Sequence, residues 1–206
     1  MPDYYDRYWS YVLTEGPMDD LVLKWPVIAR HVPKTPGAVL VDFGCGDGAV
    51  MQGMAQVNPE AHLVGVDVSG VALEAAAKRL PAAEFHQVTD GGPIPLASAT
   101  ADFVLASDVL EHIYDTRNAA AEIGRVLRPG GSLLVTCPYH GTIKNLLLVL
   151  LAFEKHFDPT GAHIRFFTKR SLLSLLAGAG LQPTTCGYYG RRYPVPMSIF
   201  VAAVKA

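Results

Sequence analysis

The sequence predicts an α/β fold: an open, mostly parallel sheet with helices on both faces. Two observations carry this prediction. Short runs of apolar and β-branched residues alternate with helical patterns along most of the chain, which is typical of parallel βαβ units. The 206 residues, of which 50% are hydrophobic and 17% charged, are enough for one hydrophobic core and favour a single domain.

Five short apolar runs predict the parallel strands, and they cover residues 38–43, 62–66, 83–88, 102–106 and 132–137. Helical patterns lie between these runs, at residues 49–57, 71–80 and 116–127. We expect the last of these helices to end at the RPGG segment, because Pro129 and Gly130 stop a helix.

The C-terminal part of the chain has a different pattern. A helix is predicted near residues 143–153, followed by a loop over 154–167 and a second helix with Thr168 as N-cap and Gly180 as C′ glycine. Residues 146–153 are all apolar, but a membrane-spanning helix needs about 20 such residues. We therefore expect a buried helix there, or the wall of an apolar pocket. Two last strands, 181–189 and 196–204, are expected to form a hairpin at the sheet edge.

Composition limits the classes of partner and compartment. The net charge of −2 gives no basic face, so we expect no nucleic-acid partner. The three cysteines, Cys45, Cys137 and Cys186, are far apart and form no C-x-x-C pair, which favours reduced thiols in the cytoplasm. The first ten residues have acids and aromatics instead of a signal-peptide pattern, and no transmembrane segment is expected. The oligomeric state has no signal in the sequence.

The segment VLVDFGCGDGAV contains a glycine turn of the kind that binds nucleotides. Gly44, Gly46 and Ala49 match the G-x-G-x-x-G/A pattern. However, Asp42 precedes the first glycine and Asp47 lies inside the turn, where each would repel a pyrophosphate by roughly 1 kcal/mol or more. A cationic ligand would be attracted instead, and S-adenosylmethionine carries both an ammonium and a sulfonium. The charges therefore favour this ligand over a dinucleotide.

Polar residues also follow the other parallel strands, where an open α/β sheet binds its ligands. Asp67 lies about 20 residues after the glycines, at the position where a carboxylate accepts hydrogen bonds from ribose hydroxyls. Asp90 follows the third strand, and Ser107 and Asp108 follow the fourth. These residues are expected to converge at one edge of the sheet.

Five segments together resemble the class I S-adenosylmethionine-dependent methyltransferases. In chain order, between residues 39 and 138, they are VLVDFGCGDGAV, LVGVDVS, QVTDGGPIPL, ADFVLASDVLEHI and EIGRVLRPGGSLLVTCP. Within this superfamily the chain is similar to the small-molecule branch that includes the ubiquinone-pathway O-methyltransferases. The resemblance implies a Rossmann-like sheet of seven strands with an antiparallel last strand and S-adenosyl-L-methionine as cofactor.

The resemblance also implies a set of cofactor-binding residues: Asp42, Gly44, Cys45, Gly46, Asp67, Val68, Asp90, Gly91 and Ser107. Asp42 is expected near the methionine ammonium, Asp67 at the ribose and Asp90 at the adenine amino group. The two glycines would let the backbone approach the cofactor closely. Cys45 is expected to be inert packing.

The segment SDVLEHI raises three interpretations, all left open. Glu111 and His112 can brace the floor of the pocket. Alternatively, a histidine acts as general base on a hydroxyl or amine, with His112, His163 and His140 as the candidates. In the third, Asp108, Glu111, His112 and His163 bind a divalent metal, as is implied by similar ubiquinone O-methyltransferases and small-RNA 2′-O-methyltransferases. We expect no metal, and the metal set is kept as the alternative.

The predicted function is methyl transfer from S-adenosylmethionine to a small-molecule acceptor, apolar or aromatic, with a hydroxyl or amine. One alternative is a non-catalytic scaffold that binds S-adenosylmethionine without turnover. Another is an NAD(P)-dependent oxidoreductase, which would account for the glycines and Asp67 but not for Asp42 or Asp47.

The single domain is expected to have three parts. Residues 1–35 form a helical lid, in which Tyr4, Tyr8 and Tyr11 share one helix side; an amphipathic helix packed on the sheet is the alternative. Residues 36–138 form the cofactor-binding core, and 139–206 form a substrate helix, a loop and the C-terminal hairpin. In that hairpin, the GRRYPVP segment with Arg191 is expected to be a solvated loop instead of an acid-binding site.

Overall fold

The computed structural model describes residues 2–15, 21–157 and 161–206. Within these ranges the strands are β1 (Val39–Phe43), β2 (His62–Asp67), β3 (Glu84–Gln87), β4 (Ala101–Ser107), β5 (Leu127–Pro138), β6 (Leu181–Tyr189) and β7 (Ser198–Lys205). They form one seven-stranded sheet in the order β3-β2-β1-β4-β5-β7-β6. The sequence order reverses between β1 and β4, which makes this point the expected place for a ligand.

The last strand runs against its neighbours. β7 pairs antiparallel with β5 on one side and with β6 on the other, and Val201 lies opposite both Val135 and Cys186. The other neighbouring pairs, β1–β2, β1–β4, β2–β3 and β4–β5, are parallel. The predicted α/β class, the seven strands and the antiparallel last strand are confirmed. The hairpin also forms, but β7 lies inside the sheet and β6 is the edge strand.

The helices within the described ranges are α1 (Pro2–Glu15), α2 (Leu21–His31), α3 (Ala49–Val57), α4 (Gly70–Arg79), α5 (Thr116–Val126), α6 (Thr142–Leu151), α7 (Phe153–His156) and α8 (Lys169–Gly178). A short 3-10 turn, Leu110–His112, follows β4. α8 begins at the predicted cap, since Thr168 Oγ1 accepts a hydrogen bond from the Ser171 N–H at 3.1 Å. Gly180 follows its C-cap with a left-handed φ of 74°, as predicted.

Alternating strand residues divide the core between the two faces of the sheet. On one face, residues of β1, β2, β4 and β5 pack with apolar side chains of α5 and α8; the strand residues are Val41, Val64, Val104 and Val135. On the other face, the partners come from α2 and α3, and the strand residues are Leu40, Leu63, Phe103 and Leu134. The helices therefore cover both faces, as expected.

The prediction of a buried helix over residues 146–153 is wrong. α6 has no buried residue, and the exposed fractions of Leu150 and Leu151 are 68% and 81%. Apolar residues occupy the whole circumference of α6, whereas only one side of it, with Lys144 and Leu148, faces the interior of the protein. Residues 158–160 of the predicted loop lie outside the described ranges. Among the helices that the structure describes, none has the length and apolarity required to cross a membrane.

Candidate functional site

A cavity of about 1160 Å³ lies at the carboxyl ends of the parallel strands, at the sheet position where the order reverses. Its walls come from α1, α2, the loop after β1, the segment after β4, residues 161–166 and α6. Ligand sites in proteins usually measure 300–1,000 Å³. The volume is therefore large enough for more than one small molecule.

The glycine loop after β1 is held tightly against β2. The N–H groups of Gly44 and Cys45 donate to the carbonyl of Val66 at 2.8 and 3.1 Å. Gly44 and Gly46 have positive φ values of 82° and 52°, which L side chains rarely adopt. A Cβ on Gly44 would stand 2.2 Å from Val109 Cγ2, so no side chain fits there. Gly44 and Gly46 thus contribute only backbone atoms to the cavity lining.

Asp67 organises the floor of the cavity. One carboxylate oxygen accepts the Gly46 N–H at 2.8 Å, and the other accepts the Ser69 N–H at 2.9 Å. Burial raises the pKa of Asp67, while these backbone N–H groups act in the opposite direction. The Val68 N–H acts in the same direction. A carboxylate offers about four acceptor positions, which is more than these three donors use. Asp67 therefore retains acceptor capacity for the hydroxyl groups of a ligand.

The two acids of the glycine segment contribute less to the cavity than the sequence suggested. Asp42 is not among the residues that line the cavity; burial, and then the charge of Asp67, raise its pKa from 3.8 to about 7. Asp47 lines the cavity, but its carboxylate pairs with the Arg79 guanidinium at 2.5 Å. The negative lining at the strand ends comes instead from Asp67 and Asp90, together with acids of the next segment.

The remaining residues of the expected cofactor set line the cavity, namely Gly44, Cys45, Gly46, Asp67, Val68, Asp90, Gly91 and Ser107. Gly91 lies in a turn with a φ of 63°, and Asn118 Nδ2 donates to its carbonyl at 2.7 Å. Cys45 is a buried free thiol whose pKa is raised well above its usual range, mainly by burial. A neutral thiol of this kind is suited to packing.

Asp108 is held by a residue that sequence reasoning missed. Lys24 of α2 lies 84 residues away in sequence, yet its Nζ donates to Asp108 Oδ2 at 3.0 Å. Thr136 Oγ1 donates to the other oxygen, Oδ1, at 3.2 Å. Asp108 adopts a left-handed φ of 54°, which turns the chain sharply after β4. Lys24 reaches this acid only in the folded protein, and no local sequence pattern predicts the pair.

Glu111, His112 and His163 form a cluster in which one ligand atom from each residue lies within 4.8 Å of the others. The Glu111 side chain is buried, and neither carboxylate oxygen has a hydrogen-bond partner among the described residues. Burial, and then the nearby charge of Asp108, raise the pKa of Glu111 well above its usual range. The charge of Lys24 acts in the opposite direction.

The two clustered histidines are suited to accept protons. Their ring centroids lie 4.9 Å apart, and burial lowers both pKa values. His112 Nδ1 lies 3.0 Å from the carbonyl oxygen of Ala162. Since a carbonyl only accepts, Nδ1 must carry the proton, and Nε2 of the neutral ring has a free lone pair. His140, the third candidate, does not line the cavity, and its Nδ1 lies 3.1 Å from Asn145 Oδ1.

The cluster also offers a donor set for a metal ion. One carboxylate and two imidazoles occur together in zinc sites that keep an open coordination position. Of the four residues expected for such a site, the structure brings together Glu111, His112 and His163. Asp108 lies outside this cluster and is held by Lys24 and Thr136.

Helix α1 covers the cavity. Tyr5 and Trp9 line it, and Asp6 anchors the helix by accepting the Ser69 hydroxyl at 2.5 Å, at the N-terminus of α4. The Tyr5 ring lies edge-on to His112, with centroids 6.1 Å apart, and burial raises the pKa of Tyr5 to about 12. Tyr11 is 65% exposed, so the expected aromatic side of the helix faces the cavity only in part.

Comparisons with known proteins point to one family. Residues 41–135 match the family described as a methyltransferase domain. The chain is 33% identical to trans-aconitate 2-methyltransferase of Deinococcus radiodurans over 150 residues, which cover 72% of this chain and 56% of that enzyme. It is 31% identical to ubiquinone biosynthesis O-methyltransferase of Mesorhizobium japonicum over 154 residues, covering 70% and 60% respectively. The chain thus spans less than two thirds of the length of these relatives.

A solved structure shows the same fold. The chain resembles a SAM-dependent methyltransferase from Aquifex aeolicus with a TM-score of 0.72 and 15% sequence identity. The superposition covers 96% of this chain and 98% of that one. The similarity therefore extends beyond the matched family segment to both ends of the sheet.

Proposed function

Because this chain belongs to the class I S-adenosylmethionine-dependent methyltransferases, we propose that it transfers a methyl group from S-adenosylmethionine to a small-molecule acceptor. One observation carries the proposal: the glycine loop and Asp67 line the same cavity as His112 and His163. The residues proposed to bind the nucleoside and the two histidines proposed as candidate bases therefore line one cavity. Because the chain belongs to this family, the glycine motif is no longer interpreted as that of an NAD(P)-dependent oxidoreductase.

The cofactor is proposed to lie along the strand ends. Asp67 would accept hydrogen bonds from the ribose hydroxyls, since it lines the cavity and retains acceptor capacity. Val68 would contact the adenine, and Asp90 its amino group. Gly44 and Gly46 carry no side chain of their own and line the cavity, so their backbone would be able to approach the methionine part closely. Asp42 lies behind the lining, so any link to the methionine ammonium would run through water or backbone.

The proposed chemistry needs few groups from the protein. When bound, S-adenosylmethionine supplies a methyl group on a positively charged sulfur, which an acceptor takes by in-line displacement. His112 Nε2 would remove the proton from the acceptor hydroxyl or amine, because Nδ1 is committed to Ala162. His163 would orient the acceptor beside it. Tyr5 and Trp9, on the covering helix α1, would keep water out.

The acceptor is proposed to be an apolar or aromatic small molecule. The cavity wall beyond the histidines contains Leu148, Phe157, Phe166 and Met197, which offer apolar contact. The proposal places the reaction in the cytoplasm, where thiols such as the buried Cys137 stay reduced.

Isotope transfer tests the proposal. The protein is incubated with S-adenosylmethionine carrying a trideuterated methyl group and a panel of phenols, catechols, amines and hydroxy acids. We expect S-adenosylhomocysteine to form together with one labelled product. Calorimetric binding of S-adenosylmethionine without product from any acceptor would support the non-catalytic scaffold instead.

A second candidate arrangement uses a divalent metal, and the partnerless buried carboxyl of Glu111 favours it. Zinc or manganese held by Glu111, His112 and His163 would lower the pKa of an acceptor hydroxyl without a separate base. Turnover measured with and without EDTA separates the two arrangements. Unchanged turnover supports His112 as the base, whereas loss of turnover that is restored by added metal supports the metal.

A further inference from the structure

The end of the cavity away from the glycine loop is basic. Lys144 of α6 and Arg191 of the β6–β7 connection both line it. Burial, and then the charge of Arg191, lower the pKa of Lys144. Arg191 is exposed, in agreement with the expected solvated loop, and it also contributes to the cavity wall.

Lys144 is held in a position that is unfavourable without a negative partner. Its ammonium is half-buried and donates to the backbone carbonyl of Met197 at 3.0 Å. Among the residues that the structure describes, no carboxylate lies within ion-pair distance of Lys144 or Arg191. Lys144 also lies in the first turn of α6, where the helix dipole disfavours a cation. An anion bound here would offset the half-burial of the ammonium, the missing carboxylate partner and the unfavourable helix dipole.

The charges of the cavity are unevenly distributed. The strand ends carry the acids Asp67, Asp90 and Glu111 and one cation, Lys24, which is paired with Asp108. Lys144 and Arg191 line the part of the cavity formed by α6 and the β6–β7 connection. Between them the wall is largely apolar, with side chains from α6, the segment before α8 and the β6–β7 connection: Leu148, Phe157, Ile164, Phe166, Val195 and Met197. An uncharged acceptor would leave the basic end without a counter-charge.

We infer that the acceptor is an amphipathic anion, which presents a carboxylate or phosphate to Lys144 and Arg191 and an apolar body to the wall between them. The inference rests on the proposed function, since it assigns the acceptor side of the same cavity. The nucleophile of this acceptor lies at the end opposite its anionic group, next to His112. Charge complementarity then orients the acceptor along the cavity.

Matched probes test this chemistry. Octanoate, octyl phosphate, 1-octanol and octylammonium share one apolar chain and differ in the head group. Each is titrated by calorimetry into the protein saturated with S-adenosylhomocysteine. We expect at least one of the two anions to bind at least ten times more tightly than 1-octanol, and octylammonium to bind most weakly. The anion that binds more tightly identifies carboxylate or phosphate as the natural group.

Substitutions of Lys144 and Arg191 test whether these two cations cause the preference for an anion. Lys144→Met and Arg191→Gln should each lower the preference for the anion at least fivefold, while Lys144→Arg should retain it. Arg192→Gln is the matched control, because Arg192 is exposed next to Arg191 but does not line the cavity. Equal affinity for anion and alcohol, binding of none of the probes, or an equal loss in Arg192→Gln would overturn the inference.

The two proposals fail separately. Failure of S-adenosylhomocysteine to bind would contradict the proposed function, and titrations of the unloaded protein would still report the anion preference. Tight binding of S-adenosylhomocysteine without any anion preference would contradict the acceptor inference alone.

Discussion

The indole ring of Trp9 lies against the backbone of Gly46, so that a Cβ on this glycine would stand 2.3 Å from Trp9 Cζ2. The contact joins helix α1 to the glycine loop, two elements that are far apart in sequence. We propose that α1 acts as a lid that moves when the cofactor enters.

Gly46→Ala should weaken S-adenosylmethionine binding at least tenfold, because the added methyl group meets Trp9 and the φ of 52° is strained for alanine. Gly37→Ala is the control. Gly37 has a φ of 70° with nothing within 4 Å of its added Cβ, so it carries the backbone strain of about 1–2 kcal/mol without the collision. Calorimetry measures both affinities. Equal losses in the two variants would contradict the close approach of the lid.

Asp67→Asn should weaken S-adenosylmethionine binding by about 1–3 kcal/mol, since charge-assisted hydrogen bonds to the ribose are lost. Glu84→Gln removes a carboxylate on β3, outside the cavity lining, and should leave affinity unchanged. Both variants are compared by calorimetry after thermal melts have confirmed folding. Wild-type affinity in folded Asp67→Asn would show that the ribose lies elsewhere.

Asp42→Asn should raise the free energy of unfolding, and more so at higher pH. The folded protein keeps a proton on Asp42 up to about pH 7, whereas the unfolded chain releases it near pH 3.8. Wild-type stability contributed by this group is therefore lost as pH rises between these values, by up to about 4 kcal/mol. Asparagine does not titrate. Denaturation of the ligand-free wild type and variant at pH 5, 6, 7 and 8 measures the free energy of unfolding of each. A difference between the two that stays constant with pH would refute the prediction.

Glu111→Gln should leave stability and turnover within a few-fold of the wild type if the carboxyl is neutral, because the amide is nearly isosteric. Metal content by mass spectrometry of the purified protein accompanies the assay. The wild type could instead contain one bound zinc or manganese, and Glu111→Gln could lack both the metal and turnover. That result would contradict a base mechanism without metal and establish the metal arrangement. His86→Gln is the control substitution, because His86 lies on β3 and outside the cavity lining. It should leave both turnover and metal content unchanged.

The framework of the site was predictable because its signals are local. Alternating apolar runs identify the strands, and the carboxyl ends of parallel strands converge whatever the loops do. Asp67, Asp90 and Ser107 therefore line one cavity, as their positions after β2, β3 and β4 indicated. The glycine turn needs only nearby residues to be recognised.

The contacts that tune the site were not predictable, because they join distant segments. Lys24 reaches Asp108 from a helix whose interior contains Pro26, a residue normally taken as a helix breaker. The proximity of Lys144 and Arg191 likewise depends on how α6 lies against the β6–β7 connection. The exposure of α6 could not follow from hydrophobicity, since an apolar helix is buried only where a partner surface exists.

The proposed function places a nucleoside sulfonium on the floor formed by Asp67 and the glycine loop. A crystal structure of the protein with S-adenosylhomocysteine would show whether the nucleoside lies there. We expect the ribose hydroxyls within hydrogen-bond distance of the Asp67 carboxylate and the sulfur facing His112. Density for the ligand outside this cavity, or a ribose bound away from Asp67, would contradict it.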